Sequence, residues 1–205
     1  MKIYKLGEEI LTKKSLPIPQ EEINDDLKKL AEEMLETMIS ANGVGLACPQ
    51  IGQSRRMFVA MADDEVKRVF INPQIVRTSS DSVPYEEGCL SVPQTYEEIM
   101  RPSQVTVQAQ DLNGKRFMLE ADGLLARIIQ HEMDHLEGMV FIDRGDVEFA
   151  KKTREKFARR AERALQKAAE REAKEKRIAA KLAAKKARKT VVQNSANVNH
   201  DTEQK

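Results

Sequence analysis

Between residues 24 and 43, apolar side chains recur at Leu27, Leu30, Met34, Leu35 and Met38, the spacing of one helix face. Asn24 or Asp25 supplies an N-cap, and Gly43 follows the end. The pattern then breaks. Residues 43–52 read GVGLACPQIG, three glycines and a proline in ten residues, which predicts a loop. Short apolar runs at 56–60 (RMFVA) and 69–76 (VFINPQIV) predict strands. Residues 104–110, QVTVQAQ, alternate and lead through Asn113-Gly114 to KRFMLE at 115–120, a hairpin signal. The next helix opens at Asp122 and stops at Gly138. It carries Leu124, Leu125, Ile128, Ile129, Met133 and Leu136, too many apolar residues for a surface helix, so it is predicted to be buried. From 146 to 190 there is no Gly or Pro, and Ala, Lys, Arg and Glu dominate. A continuous helix there would run roughly 65 Å at about 1.5 Å per residue. Phe149, Phe157, Ala161 and Leu165 are available to dock its first turns, and residues 191–205 are expected to be disordered.

Composition changes this picture in one respect. The 205 residues carry a net charge of only +1, but the charge is unevenly placed. Residues 1–150 hold 16 Lys/Arg against 26 Asp/Glu, and residues 151–190 hold 17 against 5. An acidic catalytic body at 1–150, a basic helical extension at 151–190 and a tail at 191–205 are therefore expected to do different jobs. No run of 18 apolar residues exists, which excludes a membrane-spanning helix. Lys5, Glu8, Glu9 and Lys13 interrupt any signal-peptide core, so a cytoplasmic protein is expected. In that compartment Cys48 and Cys89 are expected as free thiols rather than a disulfide.

The buried helix carries His131, Glu132, Asp134 and His135, and unpaired polar groups in a core are costly. Histidines four apart face the same side of a helix and can share one ion, with Glu132 beside it as a general base. The competing reading is a pair of satisfied core histidines. The only other histidine is His200, so a third ligand must come from elsewhere. Cys89, after Gly88 in EEGCLS, is the best candidate because a thiolate is a strong ligand. Cys48, Glu86 and Glu87 are its rivals.

Three stretches together resemble the peptide deformylase family, whose motifs are G-x-G-x-A-A-x-Q, E-G-C-x-S and H-E-x-D-H. Here they stand as GVGLACPQ (43–50), EGCLS (87–91) and HEMDH (131–135). The resemblance covers roughly residues 1–150. It implies an α+β fold, with small antiparallel β-sheets packed around a central metal-binding helix and followed here by the long basic C-terminal helix. It also implies a metal-dependent hydrolase that removes the formyl group from the N-terminal formyl-methionine of newly made proteins, releasing formate. Cys89, His131 and His135 would be the metal ligands, with the fourth position open. Glu132 would be the general acid/base, and the Gln50 side chain and Leu90 N–H would stabilise the developing oxyanion. Gly43 and Gly45 would leave room for substrate backbone, with Tyr85 and Ile128 as walls of the methionine pocket. Glu87 and Arg101 are a candidate pair to brace the Cys89 loop. The one departure is Ala47-Cys48 where the family has Ala-Ala; Cys48 is expected to pack as a small residue.

One divalent ion per chain is implied, Fe2+ in the first place, with Zn2+, Ni2+ or Co2+ as substitutes. The partners implied are N-formylmethionyl nascent peptides, and the chain is expected to be a monomer. The basic extension is a candidate ribosome contact, since Lys and Arg contacts to phosphate release counterions; a solvated helix is the plainer alternative. Two rival functions leave features unexplained. An HExxH peptidase would not need Cys89 or the glycine loop ending in Gln50. A nucleic-acid-binding protein would not need the acidic body, and no aromatic interleaves the tail for base stacking.

Overall fold

Asn24 accepts hydrogen bonds from the N–H groups of Asp26 and Leu27 at 3.1 and 3.2 Å and so starts helix α1, Asp25–Ser40. The face bearing Leu27, Ala31, Met34, Leu35 and Met38 is buried. It packs on strands β1, Gly45–Ala47, and β2, Met57–Ala60, with Leu46, Cys48, Met57, Val59 and Ile71 in the same cluster. The computed structural model describes residues 1–200, with side chains described through residue 179 and at Lys181.

Strands β3, Arg68–Thr78, β6, Gln104–Gln110, and β7, Arg116–Asp122, complete an antiparallel five-stranded sheet in the order β1-β2-β3-β6-β7. Pro73 has no N–H to give to the ladder, and the β3–β6 register shifts between Ile71 and Gln74. The neighbouring Asn72 sits at φ 51° and ties this bulge to Ile18, accepting from its N–H and donating to its carbonyl, both at 2.8 Å. Strands β4, Ser82–Cys89, and β5, Val92–Pro102, form a separate two-stranded sheet. Sequence periodicity does not reveal this hairpin, because seven of the eight β4 residues are not buried and no apolar alternation marks them.

Helix α2, Gly123–Leu136, follows β7 without a loop. Asp122 is its N-cap by position, although its side chain makes no capping hydrogen bond. At the other end Met139 N–H reaches the Asp134 carbonyl and Gly138 N–H the His135 carbonyl, a Schellman motif closed by Gly138 at φ 77°. Ala126, Ile129 and Leu136 pack with Phe58, Phe70, Val105 and Val107, so α2 is buried as its sequence predicts. The architecture is α+β with antiparallel sheets around α2 and a long C-terminal helix α3, Val147–His200.

The chain divides into two compact units, Met1–Phe157 and Ala158–Lys205. The root of α3 belongs to the first unit. Phe157 is buried with Val92, Ile99, Val140 and Phe141, and Phe149 packs against the same cluster. Within the second unit every described side chain is exposed, including Leu165, and Glu–Lys and Arg–Glu pairs at i,i+4 line the helix. The segment 191–205 expected to be disordered overlaps the end of α3, and 201–205 lies outside the described residues. No helix among the described residues is long and apolar enough to cross a membrane.

Candidate metal centre

Two elements bring the candidate ligands together. Helix α2 presents His131 and His135 one turn apart, with ring centroids 5.2 Å from each other. The β4–β5 hairpin delivers Cys89 where its register slips between Gly88 and Cys89. Cys89 Sγ lies 3.2 Å from His135 Nε2, and one ligand atom from each of Cys89, His131 and His135 falls within 4.8 Å of the others. Among the described residues this is the only such cluster. Burial works against ionising Cys89. The charge of His135 and hydrogen bonds with both imidazoles outweigh it and hold the thiol well below its usual range.

The rivals for the third ligand are placed elsewhere. Cys48 is fully buried behind β1, where its thiol donates to Met34 Sδ at 3.6 Å, and burial pushes it up to about 12. Glu86 points to solvent. Glu87 is consumed by partners. Its carboxylate accepts from Arg101 at 2.6 and 3.0 Å and from Arg127 at 3.0 Å, and it holds His131 Nδ1 at 2.8 Å. That last contact leaves His131 Nε2 for an ion. Burial opposes the Glu87 charge, but the hydrogen bonds from His131 and Arg101 prevail and bring it to about 2. Cys48→Ala is accordingly expected to cost about 1 kcal/mol and to leave metal content and turnover at wild-type levels. Thermal melts and metal analysis check this; a loss of metal would put Cys48 in the site.

Glu132 and Gln50 sit beside the cluster. Glu132 is buried and its Oε2 has no hydrogen-bond partner among the described residues. Burial lifts it to about 7, against the downward pull of the two imidazoles. Strand β1 passes so close that a Cβ on Gly45 would lie 2.2 Å from Glu132 Oε1, so glycine there is what allows the carboxylate its place. The Gln50 amide is oriented by its own loop. Its Oε1 accepts Ala47 N–H at 2.7 Å, which turns its Nε2 toward Ser91 Oγ at 3.2 Å and Cys89 Sγ at 3.5 Å. The Leu90 carbonyl accepts from Lys5 Nζ at 2.8 Å, which ties down the turn after Cys89.

A cleft of about 480 Å³ opens onto these groups and is lined by Gly43, Gly45, Gln50, Tyr85, Leu90 and Ile128 together with Cys89, His131 and Glu132. The residues singled out from sequence thus share one place, with His135 behind them. Tyr85 is half exposed at the rim and lies beside the Arg127 guanidinium, 5.6 Å from its ring. Sequence reasoning gave no role to Arg127, Asp134, Arg144 or Ser91. Asp134 accepts from Arg101 at 2.7 Å and from Arg144 at 2.6 Å, extending the Glu87 network along α2. The signal available was Arg127, His131 and Asp134 recurring on one helical stripe of a buried helix.

These donors suit a divalent cation. One soft sulfur and two imidazole nitrogens are gathered in reach of each other, and the buried Glu132 Oε2 beside them has no partner among the described residues. Comparison with known proteins points the same way. Residues 1–153 match the family model for polypeptide deformylase. A peptide deformylase of Treponema pallidum (strain Nichols) is 49% identical over 146 residues, covering 71% of this chain and 88% of that protein. Peptide deformylase 2 of Gloeobacter violaceus is 48% identical over 152 residues, 72% of this chain and 80% of that one. Among solved structures, peptide deformylase 1B of Arabidopsis thaliana aligns with a TM-score of 0.74 at 34% identity, covering 80% of this chain and 93% of that one. A peptide deformylase from Synechococcus elongatus in complex with actinonin aligns at 0.70 and 41% identity, covering 75% and 84%. With its three motifs converging on one cleft, the chain belongs to the peptide deformylase family, the hydrolases that remove the formyl group from the N-terminus of newly made proteins.

Proposed function

We propose that Cys89, His131 and His135 hold one divalent ion, ferrous iron, and that Glu132, Gln50 and Leu90 carry out deformylation beside it. The observation that carries this is the gathering of the three ligand atoms within 4.8 Å next to a buried carboxylate with an unpartnered oxygen. When bound, the ion supplies Lewis acidity to water and to the carbonyl oxygen. Glu132 takes the proton of the attacking water as its oxygen bonds to the formyl carbon. Gln50 Nε2 and the Leu90 N–H donate to the oxygen on which negative charge develops; losing one such donor typically costs about 2.7–4 kcal/mol of barrier. As the C–N bond breaks, Glu132 returns the proton to the leaving amine, and formate and a free N-terminus depart. Ile128 and Tyr85 wall the methionine side chain, and Gly43 leaves space for the peptide backbone.

Removing the ion with a chelator is expected to abolish hydrolysis of a formyl-Met peptide, and Fe2+ is expected to restore it more fully than Zn2+. A casein-type substrate should stay intact throughout. Cleavage of internal bonds at a comparable rate would overturn the reading in favour of a peptidase. Two free thiols suit a cytoplasmic site of action, and we take the working unit to be a monomer.

The basic extension, residues 151–190, is assigned to the ribosome, whose phosphate-rich surface matches its excess of 17 Lys/Arg over 5 Asp/Glu. Truncation after Phe157, the last residue of the first unit, is expected to spare turnover of a short formyl-Met peptide. It should also reduce salt-sensitive co-sedimentation with ribosomes. Unchanged co-sedimentation would end this assignment.

A further inference from the structure

The three ligands come from two elements that share no strand ladder. Cys89 rides on the β4–β5 hairpin, which among the described residues is hydrogen-bonded to no other strand, and both histidines ride on α2. A lone two-stranded hairpin is marginal by itself, so side chains must set its place against the helix. At the Cys89 end Glu87 does this through Arg127 and His131. Gln130 of α2 adds a bond to the Pro102 carbonyl at 3.0 Å, and Val92 and Ile99 pack against Leu6 and Phe141. Further polar contacts come from the short segment between α2 and α3. Arg144 grips Asp134 of α2 with two hydrogen bonds, Nη2 to Oδ1 at 2.6 Å and Nε to Oδ2 at 3.2 Å. Asp134 Oδ2 in turn accepts Arg101 Nη1 of β5 at 2.7 Å. Two residues beyond Arg144, the Asp146 N–H donates to Glu97 Oε1 at 2.6 Å, and Glu97 stands directly across the hairpin from Glu87. This one segment therefore holds the histidine helix and the cysteine hairpin at once.

We propose that Asp134 and Arg144 are positioning residues for the metal: with Glu97 and Arg101 they clamp the Cys89 hairpin at its working distance from His131 and His135. The proposal rests on the reading of those three residues as ligands. Neither Asp134 nor Arg144 is a ligand or faces the cleft, so their effect is on the spacing of the donors.

The test uses the full chain, Zn2+ as the probe, and competition with a chromophoric chelator at a temperature well below each variant's melt. Asp134→Asn and Arg144→Met are expected to weaken Zn2+ binding about 10-fold to 100-fold, the usual effect of losing a group that orients ligands. Arg144→Lys, which keeps the charge without the two-pronged grip, should recover part of the loss. A merely structural role would lower the melting temperature and leave affinity untouched, and wild-type affinity in Arg144→Met overturns the clamp. If Asp134→Asn fails to fold, Arg144→Met, altered at a half-exposed side chain, decides alone. Cys89→Ala is the control. Its Zn2+ affinity should collapse; wild-type affinity there would overturn the ligand reading itself, whereas its collapse beside an unchanged Arg144→Met would overturn only the clamp.

Discussion

Glu132→Gln is expected to lower kcat on a formyl-Met peptide by about 10²–10⁴-fold, the usual contribution of a general acid/base, while metal content stays at the wild-type level. The amide has the size and shape of the carboxylate, which matters here because Gly45 and Ile128 close on that side chain. What it cannot do is accept a proton from water and return it to the leaving amine. Burial has already placed Glu132 at about 7, which suits a group that must both take and give a proton near neutrality. Metal analysis and steady-state kinetics on one preparation make the distinction. Turnover within a few-fold of wild type at full metal occupancy would remove Glu132 from its role. Loss of metal would instead make it a ligand.

The largest loss of stability is expected from Glu87→Ala, about 3–5 kcal/mol by denaturant unfolding, the typical cost of stripping one partner from a buried ion pair. Total stability of a domain is commonly only about 5–15 kcal/mol. Glu87 serves two guanidinium groups and one imidazole, all largely buried: Arg101 at 2.6 Å, Arg127 at 3.0 Å and His131 at 2.8 Å. Alanine leaves Arg127 with only its backbone acceptors, the carbonyls of Ile99 and Val83, and Arg101 with Asp134 alone. It also frees the His131 ring to turn, so metal affinity should fall with stability, by about 10-fold to 100-fold. Glu87→Gln keeps an acceptor for one of these donors and should be the milder change. A loss of less than about 1 kcal/mol in Glu87→Ala would mean that water replaces the carboxylate and that the network is less enclosed than its contacts indicate.

Helix α1 was legible in the sequence because it buries one stripe at helical spacing, Leu27 to Met38, and α2 because its apolar residues exceed one face between Asp122 and Gly138. The β6–β7 hairpin was legible from its alternation and its Asn113-Gly114 turn. The β4–β5 hairpin was not. Its buried side chains mix charge, Glu87 and Arg101, with only two apolar residues, Val92 and Ile99, so no regular hydrophobic period marks it as a strand pair.

The site divides along the same line. Local spacing alone established that His131 and His135 share a face with Glu132 between them, since a helix places residues i and i+4 together wherever it sits. The three motifs together named the family and the fold around that helix. The EGCLS motif favoured Cys89 over Cys48, and the tertiary structure set the two thiols apart, seating Cys48 against Met34 in the core and bringing Cys89 to 3.2 Å from His135 across 46 positions of chain. Tertiary structure alone showed that Asp134, within the histidine motif itself, pairs with Arg101 and Arg144 outside the cleft. Long-range ion pairs leave no periodic trace. Each needs two charged residues brought together by the packing of other elements, and a charged residue reads the same in sequence whether it ends in solvent or in a buried clamp.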